Sequence, residues 1–329
     1  MYAFVGPLAV SIGVPHRTTG KTRTTSRTFI TAIAGYRHNS FVQGYSLQPR
    51  SSKKTCSTIA AKPVRMSALQ KSPPQTFEAA VTLGSSKADL PSWKVLLLGI
   101  LAGAYIALGA LLALCVGGAV PAIKASNPGL QKLLFGALGL PGGLLLVCVT
   151  GGELFTGNTA LLTCAFTQGR AKAGGVLRNW VWSYIGNVLG SALVTWLAVA
   201  SGCVGGAGGA VAAAVASAKV GMPFIKAFLR GIVCNWLVCL AVYTQNGASD
   251  LMGKFVAIWL PICAFVAMGF EHCVANMFLI PFGMAMGADV TMKQYLMANL
   301  LPVTLGNIVA GVFLVGLAYS LAFGKKAAA

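Results

Sequence analysis

Two apolar stretches of this chain are too long for one straight bilayer crossing, and each is broken near its middle by glycine and glutamate. Residues 133–168 contain Thr150-Gly151-Gly152-Glu153, and residues 255–286 contain Gly269-Phe270-Glu271-His272. About 20 apolar residues cross the hydrocarbon core as a helix. A carboxylate there must face protein or water, and irregular backbone is tolerated only where it is covered or lines a cavity. Each long stretch therefore predicts a broken helix. Four further spans, 94–118, 177–200, 222–246 and 300–322, bring the expected crossings to six. With 56% hydrophobic and 9% charged residues in 329, the chain has too few charges to cover a soluble enzyme of this size. It is also too apolar for a disordered protein.

The two halves echo each other. Glu153-Leu-Phe-Thr-Gly-Asn158 and Glu271-His-Cys-Val-Ala-Asn276 share the pattern E-x4-N, each with a glycine two residues before the glutamate. Asn179 precedes Gly186-Asn187 as Asn299 precedes Gly306-Asn307, with an Asn-to-Asn spacing of eight in both. Both matches fall at an offset of roughly 120 residues, which points to a duplication. Three spans per half is an odd number, so the second half enters from the opposite face. This predicts an inverted 3+3 repeat whose broken second and fifth helices meet near the midplane.

The formal charge of +19 divides unevenly. Residues 1–76 hold 11 Lys/Arg and no acid, which leaves +8 for the rest. Residues 1–66 are rich in Arg, Lys, Ser and Thr, lack acids and have no continuous apolar core. They read as a transit peptide, with Ser/Thr abundance favouring a plastid over a mitochondrion. Residues 67–92 then form an N-terminal segment, 93–323 the transmembrane domain and 324–329 a tail. Loop charges give eight basic residues inside against six outside, a slight positive-inside bias. The basic excess belongs to targeting and loops, and no nucleic-acid partner is expected. The nine cysteines form no CxxC pair and read as free thiols, with no metal site. No P-loop, GxGxxG or HExxH occurs, so no cofactor is expected, and Gly-Ala-Gly-Gly-Ala at 206–210 reads as a flexible loop.

His16, His38 and His272 are the only histidines, and the first two fall in the basic N-terminal stretch. His272 is thus the single histidine of the membrane domain, at a helix break, where an imidazole can hydrogen-bond or protonate a passing anion. Glu153 and Glu271 are expected to brace the breaks by accepting hydrogen bonds from freed backbone N–H groups, with Asn158 and Asn276 beside them. The half-helices starting near Thr156 and Val274 would aim N-terminal dipoles inward, which favours anions. Lys219, in the loop between the halves, could concentrate anions at a pore mouth. Asn187, Asn235 and Asn307 read as helix–helix hydrogen bonds.

At these residues the sequence resembles the formate/nitrite transporter family. Gly152-Glu153-Leu154-Phe155-Thr156-Gly157-Asn158-Thr159 is similar to its broken second helix. Cys234 to Tyr243 is similar to its fourth helix, Phe265 to Phe278 to its fifth and Leu301 to Asn307 to its sixth. The resemblance spans residues 85–323 and implies an all-α membrane protein with an aquaporin-like fold. It further implies a homopentamer in membrane lipid and one pore per protomer for small monovalent anions such as formate or nitrite, in channel-like or proton-coupled fashion. It places Phe265 at one constriction, Leu144, Leu154 and Phe155 at the other, and Thr156, Lys219 and Asn307 as polar groups beside the central His272. One position departs: the family's constriction phenylalanine falls on Leu140 when counted back from Thr156 without gaps. The loop Glu-Leu-Phe-Thr-Gly is closer to the family's nitrite-type loop than to its formate-type Asp-Leu-Phe-Thr-Ser. Together with a plastid address, this gives the expectation of nitrite transport across the plastid inner envelope, with formate or bicarbonate as alternatives. Mitochondrial and plasma membranes are the alternative locations. An intramembrane enzyme using Glu271 and His272, and a non-transporting scaffold, are the rival classes.

Overall fold

The computed structural model describes residues 70–324. The basic stretch 1–66, read above as an address, lies outside the described residues. Helix α1 (Pro73–Asp89) is followed by the first span, α2 (Ser92–Val116). Two short helices, α3 (Pro121–Ser126) and α4 (Pro128–Ala137), lead into α5 (Leu140–Thr150). After a break comes α6 (Phe155–Thr167), then the long α7 (Ala173–Ser201). The second half runs α8 (Gly206–Val220), α9 (Phe224–Gln245), α10 (Leu251–Ala267), a break, α11 (Cys273–Ala285) and the last span. We label that span, Met292–Phe323, α12. Six apolar spans stand where they are expected, the last beginning at Met292 and not at residue 300, and the second and fifth are broken where the glycine–glutamate interruptions stand.

Both breaks are made the same way. Gly151 closes α5 at φ 79°, and Gly269 follows α10 at φ 72°. Left-handed backbone is readily open to glycine and costly for other residues. In each break the next residue donates its N–H five residues back: Gly152 to Val147 O at 2.8 Å and Phe270 to Phe265 O at 3.0 Å. The chain then turns inward and restarts as a half-helix.

Small residues let the spans approach closely. A Cβ on Gly186 would come within 2.7 Å of Leu96 O, and one on Gly306 within 2.2 Å of Phe228 O. These contacts seat α7 against α2 and the middle of α12 against α9. They bring the following residues, Asn187 and Asn307, within reach of the breaks. In α12, turns of π type at Tyr295–Leu300 and Ala310–Leu317 flank the stretch beginning Leu301-Pro302. Pro302 supplies no N–H, and a widened turn before it is one way a membrane helix absorbs that loss.

Two elements correct the expectations. Residues 206–210 open helix α8, and are not a flexible loop. The Ala-rich stretch after them favours helix, and its small side chains let α8 press on α11, where a Cβ on Gly283 would come within 2.5 Å of Ala212 O. In the first half, α1 packs on α6 as α8 packs on α11. The repeat therefore contains a packed helix ahead of each group of three spans. Residues 73–89, expected to belong to a separate N-terminal segment, are part of the folded membrane domain.

Candidate functional site

At each break a side-chain amide satisfies the first N–H of the half-helix. Asn187 Oδ1 accepts from Phe155 N at 2.9 Å, while its Nδ2 donates to Gly99 O and Glu153 O at 2.8 and 3.0 Å. Asn307 does the same in the other half: Oδ1 accepts from Cys273 N at 2.9 Å, and Nδ2 donates to Gly231 O and Glu271 O at 2.8 and 3.1 Å. Asn187 and Asn307 are fully buried, and each ties the start of a half-helix to two carbonyls on neighbouring backbone.

The two carboxylates do a different job from the one expected. They accept from side chains, whereas the N–H groups of Phe155 and Cys273 bond to Asn187 and Asn307, that of Ala275 to His272, and those of Glu153 and Glu271 to the carbonyls of Leu98 and Arg230. Glu153 Oε1 pairs with Lys87 Nζ at 2.6 Å, and its Oε2 accepts from Asn158 and Asn179 at 2.7 and 2.8 Å. Glu271 Oε1 pairs with Lys219 Nζ at 3.0 Å, and its Oε2 accepts from Asn276 and Asn299 at 2.7 and 3.1 Å. The physical reason is charge. A buried carboxylate is better matched by an ammonium than by amide N–H groups alone, and neutral amides suffice for the backbone donors. Lys219 is accordingly in the last turn of α8, not in a loop, and Lys87 holds the equivalent place in the last turn of α1.

His272 caps α11. Its Nδ1 accepts from Ala275 N at 3.1 Å, and its Nε2 lies 2.9 Å from Thr156 Oγ1. A ring nitrogen that accepts a hydrogen bond carries no proton, so in the neutral ring the proton is on Nε2 and is donated toward Thr156. Thr156 is itself held by its backbone oxygen, which accepts from Asn235 Nδ2 at 3.3 Å. The His272 and Phe265 rings are 5.8 Å apart.

Three cavities stand in series around this residue. The first, of about 240 Å³, is lined by Lys87, Lys94, Leu98, Glu153, Leu154 and Asn158 among others. The last, of about 230 Å³, is lined by Leu140, Lys219, Arg230, Phe265, Glu271 and His272 among others. Between them lies a chamber of only about 10 Å³ walled by Ile106, Leu140, Leu144, Leu154, Val238, Ile262, Phe265 and His272. Leu154 is shared with the first cavity. Leu140, Phe265 and His272 are shared with the last. Two vestibules with charged side chains in their walls thus meet a narrow apolar neck whose one polar wall residue is His272.

Among the predicted residues, Leu144, Leu154, Phe265 and His272 come together in the neck, and Lys219 lines a vestibule. Thr156 reaches the site through its bond to His272, and Asn307 through the backbone of Cys273. Phe155 turns away, packing edge-on against Tyr184 and Trp180 with ring centroids 4.9 and 6.4 Å apart. Leu140 lines the neck as well. Lys87 was missed, although a signal existed: Lys87 precedes Leu98-Gly99 by the spacing at which Lys219 precedes Arg230-Gly231.

The family model described as formate/nitrite transporter matches residues 74–321. The chain belongs to the formate/nitrite transporter family. Its members are channels and transporters, not enzymes. Among curated relatives of this formate/nitrite transporter family chain, a probable formate transporter from Methanothermobacter thermautotrophicus is 45% identical over 273 residues, covering 78% of this chain and 98% of the relative. The formate channel BtFdhC of Bacillus thuringiensis is 38% identical over 255 residues, covering 77% and 96%. Among solved structures, an FNT family ion channel superposes with a TM-score of 0.69 at 32% identity, covering 75% of this chain and 98% of that one. A pentameric formate channel with formate bound gives 0.63 at 35% identity, covering 71% and 98%. The chain is a multi-pass membrane protein with the aquaporin-like fold of these channels.

Proposed function

We propose that this chain is a pore for a small monovalent anion, with nitrite as its physiological cargo and His272 as the group that carries the anion through the neck. The observation that carries the reading is the series of cavities: two cation-bearing vestibules separated by an apolar constriction that offers one hydrogen-bond donor. Moving a bare anion through an apolar slit costs many kcal/mol unless a donor replaces water. His272 Nε2–H is that donor, and a passing anion replaces Thr156 Oγ1 as its acceptor. Because Nδ1 is occupied by Ala275 N–H, a second ring proton would break the cap of α11. This supports conduction of the anion itself over a histidine proton relay.

The glutamate-type loop at Glu153-Leu154-Phe155-Thr156-Gly157 supports nitrite. The names of the relatives reported above favour formate as the second reading. The acid-free stretch 1–66 supports delivery to the plastid inner envelope, and the pentameric neighbour supports a homopentamer. The deciding experiment is uptake of nitrite, formate, bicarbonate and nitrate by proteoliposomes carrying residues 67–329, with external pH recorded. Saturable nitrite uptake that formate competes for poorly, without stoichiometric proton movement, is expected. Absence of uptake of any small anion would overturn the pore, and a preference for formate would replace nitrite. A reporter fused behind residues 1–66 tests the location, and a cytosolic reporter would overturn it.

A further inference from the structure

The vestibule on the α8 side contains a cation that the ion-pair network leaves unneutralised. Lys219 is matched by Glu271 at 3.0 Å, so its charge is largely spent within the wall. Arg230 lines the same cavity and has no carboxylate partner among the described residues. Its side chain has one weak contact, from Nη1 to Gly269 O at 3.4 Å, which leaves most of its donors available. Its backbone is fixed, because Arg230 O accepts from Glu271 N at 3.4 Å and a Cβ on the next residue, Gly231, would come within 2.9 Å of Val303 O. The charged residues lining this vestibule are Lys219, Arg230 and Glu271, and the net charge of one is Arg230's.

We propose that Arg230 forms a binding subsite for planar anions with two adjacent oxygens, a carboxylate or nitrite, at the mouth of the neck on the α8 side. The proposal rests on the anion-pore reading. A guanidinium presents parallel N–H groups in a fork that matches two oxygens on one atom, a geometry an ammonium lacks. A single-atom or spherical anion meets only the charge. The opposite vestibule differs: the position equivalent to Arg230 is Leu98, and the cation there without a carboxylate partner is Lys94. The two mouths of the pore therefore recognise anions unequally, by fork and charge on the α8 side and by charge alone on the other.

The test uses the full-length chain in proteoliposomes, comparing wild type, Arg230→Gln and Arg230→Lys for uptake of labelled nitrite and its competition by formate and by hydrosulfide. Arg230→Gln is expected to raise the half-saturating nitrite concentration about tenfold, the equivalent of one charge-assisted hydrogen bond, with the maximal rate retained. Arg230→Lys is expected to recover affinity at low salt while losing the advantage of formate over hydrosulfide as a competitor. Half-saturation unchanged in Arg230→Gln, or an Arg230→Lys protein indistinguishable from wild type, would overturn the subsite while leaving the pore intact. Wild-type vesicles that take up no anion would overturn the pore reading itself, and the subsite with it.

Discussion

Lys219 Nζ stands 3.0 Å from Glu271 Oε1, at the end of α8 and beside the break that His272 follows. The first half repeats the relationship with Lys87 and Glu153 at 2.6 Å. Each pair joins the packed helix of a half to its broken span, so charge neutralisation and support of the break are one construction. The glutamates brace the breaks through lysine and asparagine side chains, and the charge of Lys219 is matched within the vestibule wall.

Removing one partner of such a pair leaves a buried charge unmatched, which costs about 3–5 kcal/mol. Lys219→Met is expected to fall at the lower end, because the lysine side chain retains 14% exposure through the vestibule. Lys219→Met combined with Glu271→Gln should recover part of the loss, since no charge remains uncompensated. Thermal unfolding of the three detergent-solubilised proteins measures this. A double variant less stable than Lys219→Met would contradict the pairing.

His272 has two roles that a suitable substitution separates. Asparagine is a good N-cap and can accept from Ala275 N as Nδ1 does, whereas alanine cannot. His272→Asn is expected to retain wild-type stability and His272→Ala to lose about 1 kcal/mol. Both should lose anion flux, because neither places a donor where Nε2 meets Thr156. Unfolding midpoints and initial uptake rates, measured on the same preparations, check the separation.

Leu140 sits, with Phe265, in the wall shared by the neck and the α8-side vestibule. An aliphatic side chain here makes this constriction wider and softer than two facing aromatics would. Leu140→Phe is expected to reduce flux of every anion, the larger ones most. Leu140→Ala should admit a larger monocarboxylate such as lactate with little gain for nitrite. The ratio of lactate to nitrite uptake reads the effect, and a ratio that both variants leave unchanged would remove Leu140 from the constriction.

The membrane spans, the breaks and the inverted repeat were readable because each follows from a sequence property with a physical counterpart: apolar length, intramembrane carboxylate, glycine two residues before it. His272 was readable as the one histidine of the membrane domain. The partners of the carboxylates were not. Whether Glu153 takes backbone N–H groups or a lysine depends on where α1 lies, and that is set by its packing on α6, which no local pattern in residues 73–89 specifies. Phe155 illustrates the converse limit. Its motif position pointed to the neck, but the χ angles that send its ring to Tyr184 and Trp180 are set by neighbours that no local pattern reveals.

Asn307 offers the sharpest test of how the break is held. It makes three hydrogen bonds from a fully buried position: it accepts from Cys273 N and donates to Gly231 O and Glu271 O. Asn307→Asp preserves shape and the acceptor, but sets a carboxylate oxygen against two carbonyls in place of a donor. Leaving buried polar groups unsatisfied costs about 1–3 kcal/mol each, so a loss of about 3 kcal/mol or more is expected. The α11 half-helix then loses its anchor to α9, and His272 loses its position opposite Thr156. Flux should therefore fall together with stability, unlike His272→Asn, where flux falls alone. Asn187→Asp in the other half should show the same destabilisation, because Asn187 makes the same three bonds to Phe155, Gly99 and Glu153. Unfolding midpoints and nitrite uptake for the two aspartate variants check the equivalence. A stable Asn187→Asp beside an unstable Asn307→Asp would show that the two halves, alike in geometry, are held by unequal forces.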